Sequence, residues 1–179
     1  MIIKILIALV AIIAIFAVFV SMQPAEFRIA RSTTISAPPA ALFARVNDLH
    51  AFQEWNPYAK KDPAMKQSWE GPTAGPGAIY RWSGNAEIGE GSMKILESRP
   101  NELVRLELAF LKPFQATNTV DFTFVPAGEQ TTVTWSMTGT NGFMAKAASL
   151  LMDMDKMVGG DFEKGLADMK ALAEGRVGR

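Results

Sequence analysis

The chain has no cysteine and a single histidine among its 179 residues. A disulfide, a thiolate nucleophile and a cysteine-ligated metal are therefore excluded. It also lacks any long basic run, and eighteen basic residues are balanced by eighteen acidic ones. The phosphate-neutralising surface that nucleic acid requires is missing. No G-x-S-x-G elbow, Walker loop, H-E-x-x-H pair or EF-hand loop occurs. There is no low-complexity tract and no repeat at solenoid spacing. Nothing in the pattern calls for a cofactor or a metal ion. His50 reads as an ordinary surface or core residue. Asp153 and Asp155, two apart on a helix, share no face and read as solvated.

What the chain does have is an uncharged stretch from Ile5 to Met22, ILIALVAIIAIFAVFVSM. As a helix it is about 27 Å long, close to the roughly 30 Å hydrocarbon core of a bilayer. In lipid every amide must be bonded within its own segment, which makes helix the expected form. A buried core helix would carry a polar stripe, and none is visible. A cleaved signal peptide has an apolar stretch of about 7–15 residues ending in small residues at the cut. Here the run is longer and its exit, FVSMQPAEF, has no A-x-A. The reading is an uncleaved, single-pass signal anchor over residues 1–24, with the bilayer as its partner through Ile5 to Met22. Lys4 favours a cytoplasmic amino end, while Arg28 and Arg31 pull the other way. The expectation adopted places one domain, residues 25–175, on the extracytoplasmic side, followed by a tail at 176–179. That length suffices for a single core.

Past Gln23-Pro24-Ala25 the pattern changes. Glu26 to Ser36 alternates with Phe27, Ile29, Thr33 and Ile35 on one side, which predicts a strand. Pro39 opens a short helix to about Asn47, and a second covers Leu49 to Glu54 and stops at Asn56-Pro57. A series of strands follows: Met65 to Glu70, Ala78 to Ser83, Gly91 to Ser98, Leu103 to Leu111, Gln115 to Val125 and Thr131 to Thr138. Their period-two alternation fits an antiparallel sheet with one covered face. The Gly89-x-Gly91 pair between strands reads as a turn or bulge. Gly142 to about Glu174 is predicted as one long helix. Its apolar positions run from Phe143 through Leu150, Leu151, Met154 and Met157 to Phe162, Leu166 and Met169. Gly159-Gly160 in its middle predicts a kink, a close contact or a break between two helices. Strands followed by a closing helix indicate an α+β class.

This order resembles the helix-grip fold of the START-like (SRPBCC) superfamily, in its polyketide cyclase/dehydrase-like branch. The likeness is carried by RSTTISAPPAALFARVNDLHAFQEWNPY (Arg31 to Tyr58), by GPGAIYRWSG (Gly75 to Gly84) followed by Gly89-Glu90-Gly91, by TVTWSMTG (Thr132 to Gly139) and by DFEKGLADMKALAE (Asp161 to Glu174). The resemblance implies a curved antiparallel sheet wrapped around the carboxyl-terminal helix, with a ligand cavity between them. It does not specify one function, since this fold hosts lipid carriers, receptors and cyclases.

Residues expected to line such a cavity are Trp55, Tyr80, Trp82, Met93, Leu108, Phe110, Phe122, Trp135, Met137 and Met154. Large, soft side chains suit an apolar site that accepts varied shapes. The plain alternative is that they fill the core. Three functions compete. One is a non-enzymatic, membrane-anchored binder of a lipid or other hydrophobic molecule. Another is a cyclase or dehydratase that moves protons with Tyr80 or one of Glu70, Glu87, Glu90, Asp121 and Asp161. The third is an envelope interaction module with a filled core and an exposed apolar patch near Phe114 or Phe143. The first is preferred, which leans away from an enzyme, and no catalytic residue is assigned.

Overall fold

The computed structural model describes residues 2–175; the expected tail at 176–179 lies outside the described residues. The chain opens with α1 (Ile2–Ser21), a 20-residue helix long and apolar enough to cross a membrane. Its side chains are exposed along almost the whole length, and Val20 near its end is buried.

Seven strands then form one antiparallel sheet in the order β1-β7-β6-β5-β4-β3-β2. They are β1 (Glu26–Ile35), β2 (Lys66–Glu70), β3 (Ile79–Ser83), β4 (Glu90–Arg99), β5 (Leu103–Lys112), β6 (Ala116–Ala127) and β7 (Gln130–Thr140). The opening strand pairs with the last, from Glu26 opposite Thr140 to Ile35 opposite Thr131. The chain crosses the sheet between β1 and β2 through α2 (Pro39–Asn47), α3 (Leu49–Gln53) and a 3₁₀ turn (Pro57–Lys60). Pro39 sits in the first turn of α2, where its missing N–H costs nothing. Asp48 caps α3 by accepting from the amides of His50 and Ala51.

The alternation read in the sequence sets the covered face. In β6, Asn118, Val120, Phe122 and Phe124 are buried and their neighbours are not. Facing them in register are Met137, Trp135 and Val133 of β7 and Leu106 and Val104 of β5. Register shifts at Glu90/Gly91 and Ile95/Glu97 of β4 fit the curvature that lets the sheet grip a helix.

The carboxyl-terminal segment departs from the predicted single helix. It is two helices, α4 (Phe143–Ser149) and α5 (Met154–Ala173). The break falls at Leu150–Asp153 because Asp153 caps α5 through the Lys156 amide. Gly159-Gly160 stays inside α5. A Cβ on Gly159 would collide with the Arg31 guanidinium, so this glycine permits a close contact. The apolar positions also divide. Phe162, Leu166 and Met169 are buried, whereas Phe143, Leu150, Leu151, Met154 and Met157 are exposed.

α5 lies along β1 and runs in the same direction. Arg31 bonds Asp155 and Glu163 (2.9 and 2.7 Å). Further along, Lys170 Nζ donates to the Thr34 carbonyl at 2.7 Å, and the Ser36 amide donates to Glu174 Oε1 at 2.9 Å.

Candidate functional site

The space between sheet and helix has two halves. In the inner half, remote from α1, the protein fills it. Trp135 of β7 stacks on Phe162 of α5 with centroids 4.1 Å apart. Trp55 meets Trp135 edge-on at 5.6 Å and Phe122 at 5.7 Å, and Phe52 packs on Trp55 at 4.6 Å. Trp55 Nε1 donates to the Arg45 carbonyl at 3.1 Å. Three of the expected lining residues, Trp55, Phe122 and Trp135, are thus core at this end, together with Phe52 and Phe162. The physical reason is volume: five large rings converge where α3, β6, β7 and α5 meet. The signal for the two further rings lay in the sequence, since Phe162 shares a helical face with Leu166 and Met169.

The outer half, toward α1, continues the same core, with Leu108 and Phe110 at its half-buried edge. Its apolar surface comes from the strand ends of one face: Met137 opposite Val120, Leu108 opposite Met93, Met93 opposite Tyr80, and Phe110 opposite Gly91, which in turn faces Trp82. Gly91 leaves room for the Trp82 ring, which a Cβ there would strike. Trp82 and Phe110 meet edge-on at 6.0 Å, and Tyr80 stacks on Trp82 at 5.9 Å. Tyr80, Trp82, Met93 and Met137 are buried, while Leu108 and Phe110 are only half-buried. Met154, at the start of α5, is 39% exposed. The structure therefore brings together six of the ten expected residues here and sets Met154 at the rim. α4 buries none of its own side chains.

Few polar groups face this space. No strand places a carboxylate on the covered face at the positions named above. The Tyr80 hydroxyl has only Met65 Sδ nearby, at 3.9 Å, and burial pushes its pKa up to about 12. Trp135 Nε1 is buried with no hydrogen-bond partner. An unmade hydrogen bond of this kind costs about 1–3 kcal/mol.

A buried carboxylate, Asp161, lies elsewhere, between α5 and the 3₁₀ turn. It accepts from Lys61 Nζ at 3.0 Å, and Lys164 Nζ stands at 3.7 Å. Burial and the neighbouring Asp161 both raise the pKa of Tyr58. Burial alone would lower that of Lys61, but its bonds to Asp161 and Glu87 outweigh this and raise it. The group borders an open depression of about 400 Å³ lined by Pro57, Lys60, Lys61, Asp161, Lys164, Ala167 and Asp168. The other sequence candidates are surface pairs. Glu70 bonds Arg81, Glu90 bonds Lys112, and Asp121 bonds Arg105, each at 2.8 Å. Glu87 reaches Lys61 at 3.4 Å. His50 stacks on Trp69 at 4.5 Å beside a cleft of about 90 Å³. Asp155 is held by Arg31 rather than solvated alone. Among the described residues no group of three histidine or acidic side chains could hold a metal.

Solved structures share this fold at low sequence identity. The chain matches protein MLL2253 from Mesorhizobium loti with a TM-score of 0.60 and 16% identity, over 86% of this chain and all of that one. It matches the Aha1 dimer from Colwellia psychrerythraea with a TM-score of 0.61 and 16% identity, over 85% and 99%. The di-domain ARO/CYC StfQ from the steffimycin biosynthetic pathway matches with a TM-score of 0.59 and 12% identity, over 87% of this chain and 53% of that one. No curated protein matches in sequence. A family model described as polyketide cyclase / dehydrase and lipid transport matches residues 26–174. That span takes in the whole sheet and α5, and the chain accordingly belongs to the polyketide cyclase/dehydrase and lipid transport family.

Proposed function

We propose that the chain is a membrane-tethered binding protein for a lipid or another hydrophobic small molecule. The ligand lies on the outer half of the covered face, the half nearer α1. One observation carries this reading: Leu108 and Phe110 stay half-exposed on the sheet's apolar face, while Tyr80, Trp82, Met93 and Met137 around them are buried. A ligand seated there removes apolar surface of both partners from water, worth about 25 cal/mol per Å². On this reading Tyr80, Trp82, Met93, Leu108, Phe110 and Met137 form its wall, with Met154 at its rim. The anchor, read as residues 1–24, holds the domain of residues 25–175 beside a source of such ligands on the extracytoplasmic side.

The test is native mass spectrometry of the full chain extracted in mild detergent, paired with titration of a fluorescent fatty acid. A co-purifying lipid and saturable probe binding, weakened at least tenfold by Leu108→Gln, are expected. Absence of both, or unchanged binding in Leu108→Gln, defeats the reading. A protease-accessibility assay on intact cells reports the side on which the domain sits.

The enzymatic reading has one structural observation in its favour, the buried Asp161 with Tyr58 and Lys61 beside it. Its position between α5 and the 3₁₀ turn, away from the apolar face, makes it the second choice. It predicts that Asp161→Asn abolishes a turnover while leaving hydrophobic-probe binding intact.

A further inference from the structure

The exposed apolar side chains are not scattered. Outside α1, the described residues expose thirteen large hydrophobics, and nine belong to two segments: Leu111 and Phe114 at the β5–β6 tip, and seven between Phe143 and Met157. Both segments lie at the end of the sheet where α1 enters. The Asn141 amide donates to the Ala25 carbonyl at 2.7 Å, which ties the start of α4 to the foot of α1. Lys146 of α4 reaches the Ser21 carbonyl, the last residue of α1, at 3.3 Å. β6 begins at Ala116, three residues outside the Thr119–Thr138 pair, while β7 stops at Thr140. The β5–β6 tip therefore projects past the same sheet end.

We infer that this end of the domain is itself immersed in the bilayer surface, with Phe114, Met144 and Leu151 inserted at the headgroup–acyl boundary. The inference rests on the reading of α1 as a membrane anchor and extends it from a tether to a second, interfacial contact. A helix of 20 residues rises about 30 Å, so a spanning α1 sets Ser21 at the edge of the hydrocarbon core. Whatever touches Ser21 then stands at headgroup level. Lys146 is there, and Arg28 is exposed two residues into β1, which suits the polar zone of a bilayer with anionic lipid. Interfacial apolar groups sink about 5–10 Å into that boundary. The occupant is thus lipid, supplied by continuity with α1. The consequence for the ligand site is direct. Its half-exposed wall, Leu108 and Phe110, opens toward the acyl chains, so a lipid can pass from bilayer to site without crossing water.

The absence of cysteine makes the test clean, because each introduced cysteine carries the only label. Nitroxides are placed singly at Phe114→Cys, Met144→Cys, Leu151→Cys, Phe16→Cys in α1 and Glu129→Cys in the opposite turn. The full chain is reconstituted in vesicles of phosphatidylcholine and phosphatidylglycerol. The expected result is greater accessibility to oxygen than to a water-soluble nickel chelate at 16, 114, 144 and 151, and the reverse at 129. A deep label at 16 with aqueous labels at 114, 144 and 151 overturns the docking and leaves the anchor standing. An aqueous label at 16 overturns the anchor and the docking with it. Dipolar coupling between labels of two chains at 144 or 151 shows that a second copy covers the face, and also overturns the docking.

Discussion

Trp135 and Phe162 stack nearly parallel, 10° between planes and 4.1 Å between centroids, and this contact joins the last long strand to the last helix. It is possible because α5 has a glycine one turn on. A Cβ on Gly165 would stand 2.8 Å from Trp135 Cζ3 and 3.0 Å from Pro57 Cδ. Helix, sheet and 3₁₀ turn thus meet with no spare layer between them. Phe162→Ala should cost about 3–5 kcal/mol, as ring removal from a core does. Gly165→Ala should cost about 1–3 kcal/mol by overpacking, since a strand tryptophan and a proline ring have little freedom to retreat. Denaturant unfolding followed by tryptophan fluorescence measures both. A loss below about 1 kcal/mol for Phe162→Ala would show that the inner half is not packed as described.

Both tyrosines of the chain, Tyr58 and Tyr80, are shifted upward by burial. The fold favours the neutral phenol, so each contributes stability that is complete below the unfolded value of about 10. That stability is lost as pH rises through the folded value, about 12 for Tyr80. Tyrosinate absorbance should be nearly absent in the folded chain at about pH 10.5, where the unfolded chain is more than half ionised. It should then appear together with loss of tertiary structure. Normal titration of both phenols in a folded chain would contradict their burial.

At the acid end the sensitive contact is Arg31 with Asp155. The Arg31 guanidinium holds the Asp155 carboxyl below its ordinary 3.8. A depressed carboxylate stabilises above its unfolded value, and the contribution disappears as pH falls through the lower folded one. Below about pH 4 the first turns of α5 should loosen from β1, and the acid effect should shrink at high salt, because screening already weakens this exposed pair. Hydrogen exchange of amides 154–160, corrected for intrinsic rate, should rise there. Asp155→Asn should show the faster exchange at neutral pH already, with no further acid dependence from this pair.

Much of the architecture was legible along the chain. Alternation marked most strands, because each has one wet and one covered face; β2, exposed at all five positions, is the exception and was bounded by its flanking turns. Pro39 and the Asn56-Pro57 step bounded the short helices through fixed backbone geometry. The long carboxyl-terminal helix was read too simply. Its three- and four-residue spacing continues through Leu150 and Met152, but periodicity does not register a capping Asp153 or say which apolar face has a partner. Exposed Met154 and Met157 look, in sequence, identical to buried Met169.

The site divides the same way. Composition and alternation alone excluded cysteine chemistry, set one apolar face on the sheet and supplied a hydrophobic run of membrane length. Only the folded chain decided that Trp55, Phe122 and Trp135 meet Phe52 and Phe162 and fill the inner half, while Leu108 and Phe110 stay partly open. It also put α4 beside the foot of α1 and the β5–β6 tip at the same end of the sheet. The reason is that face and period are local properties of a segment. Whether apolar surface is covered depends on which distant segments arrive to cover it, and on whether their side chains have the volume to close the gap.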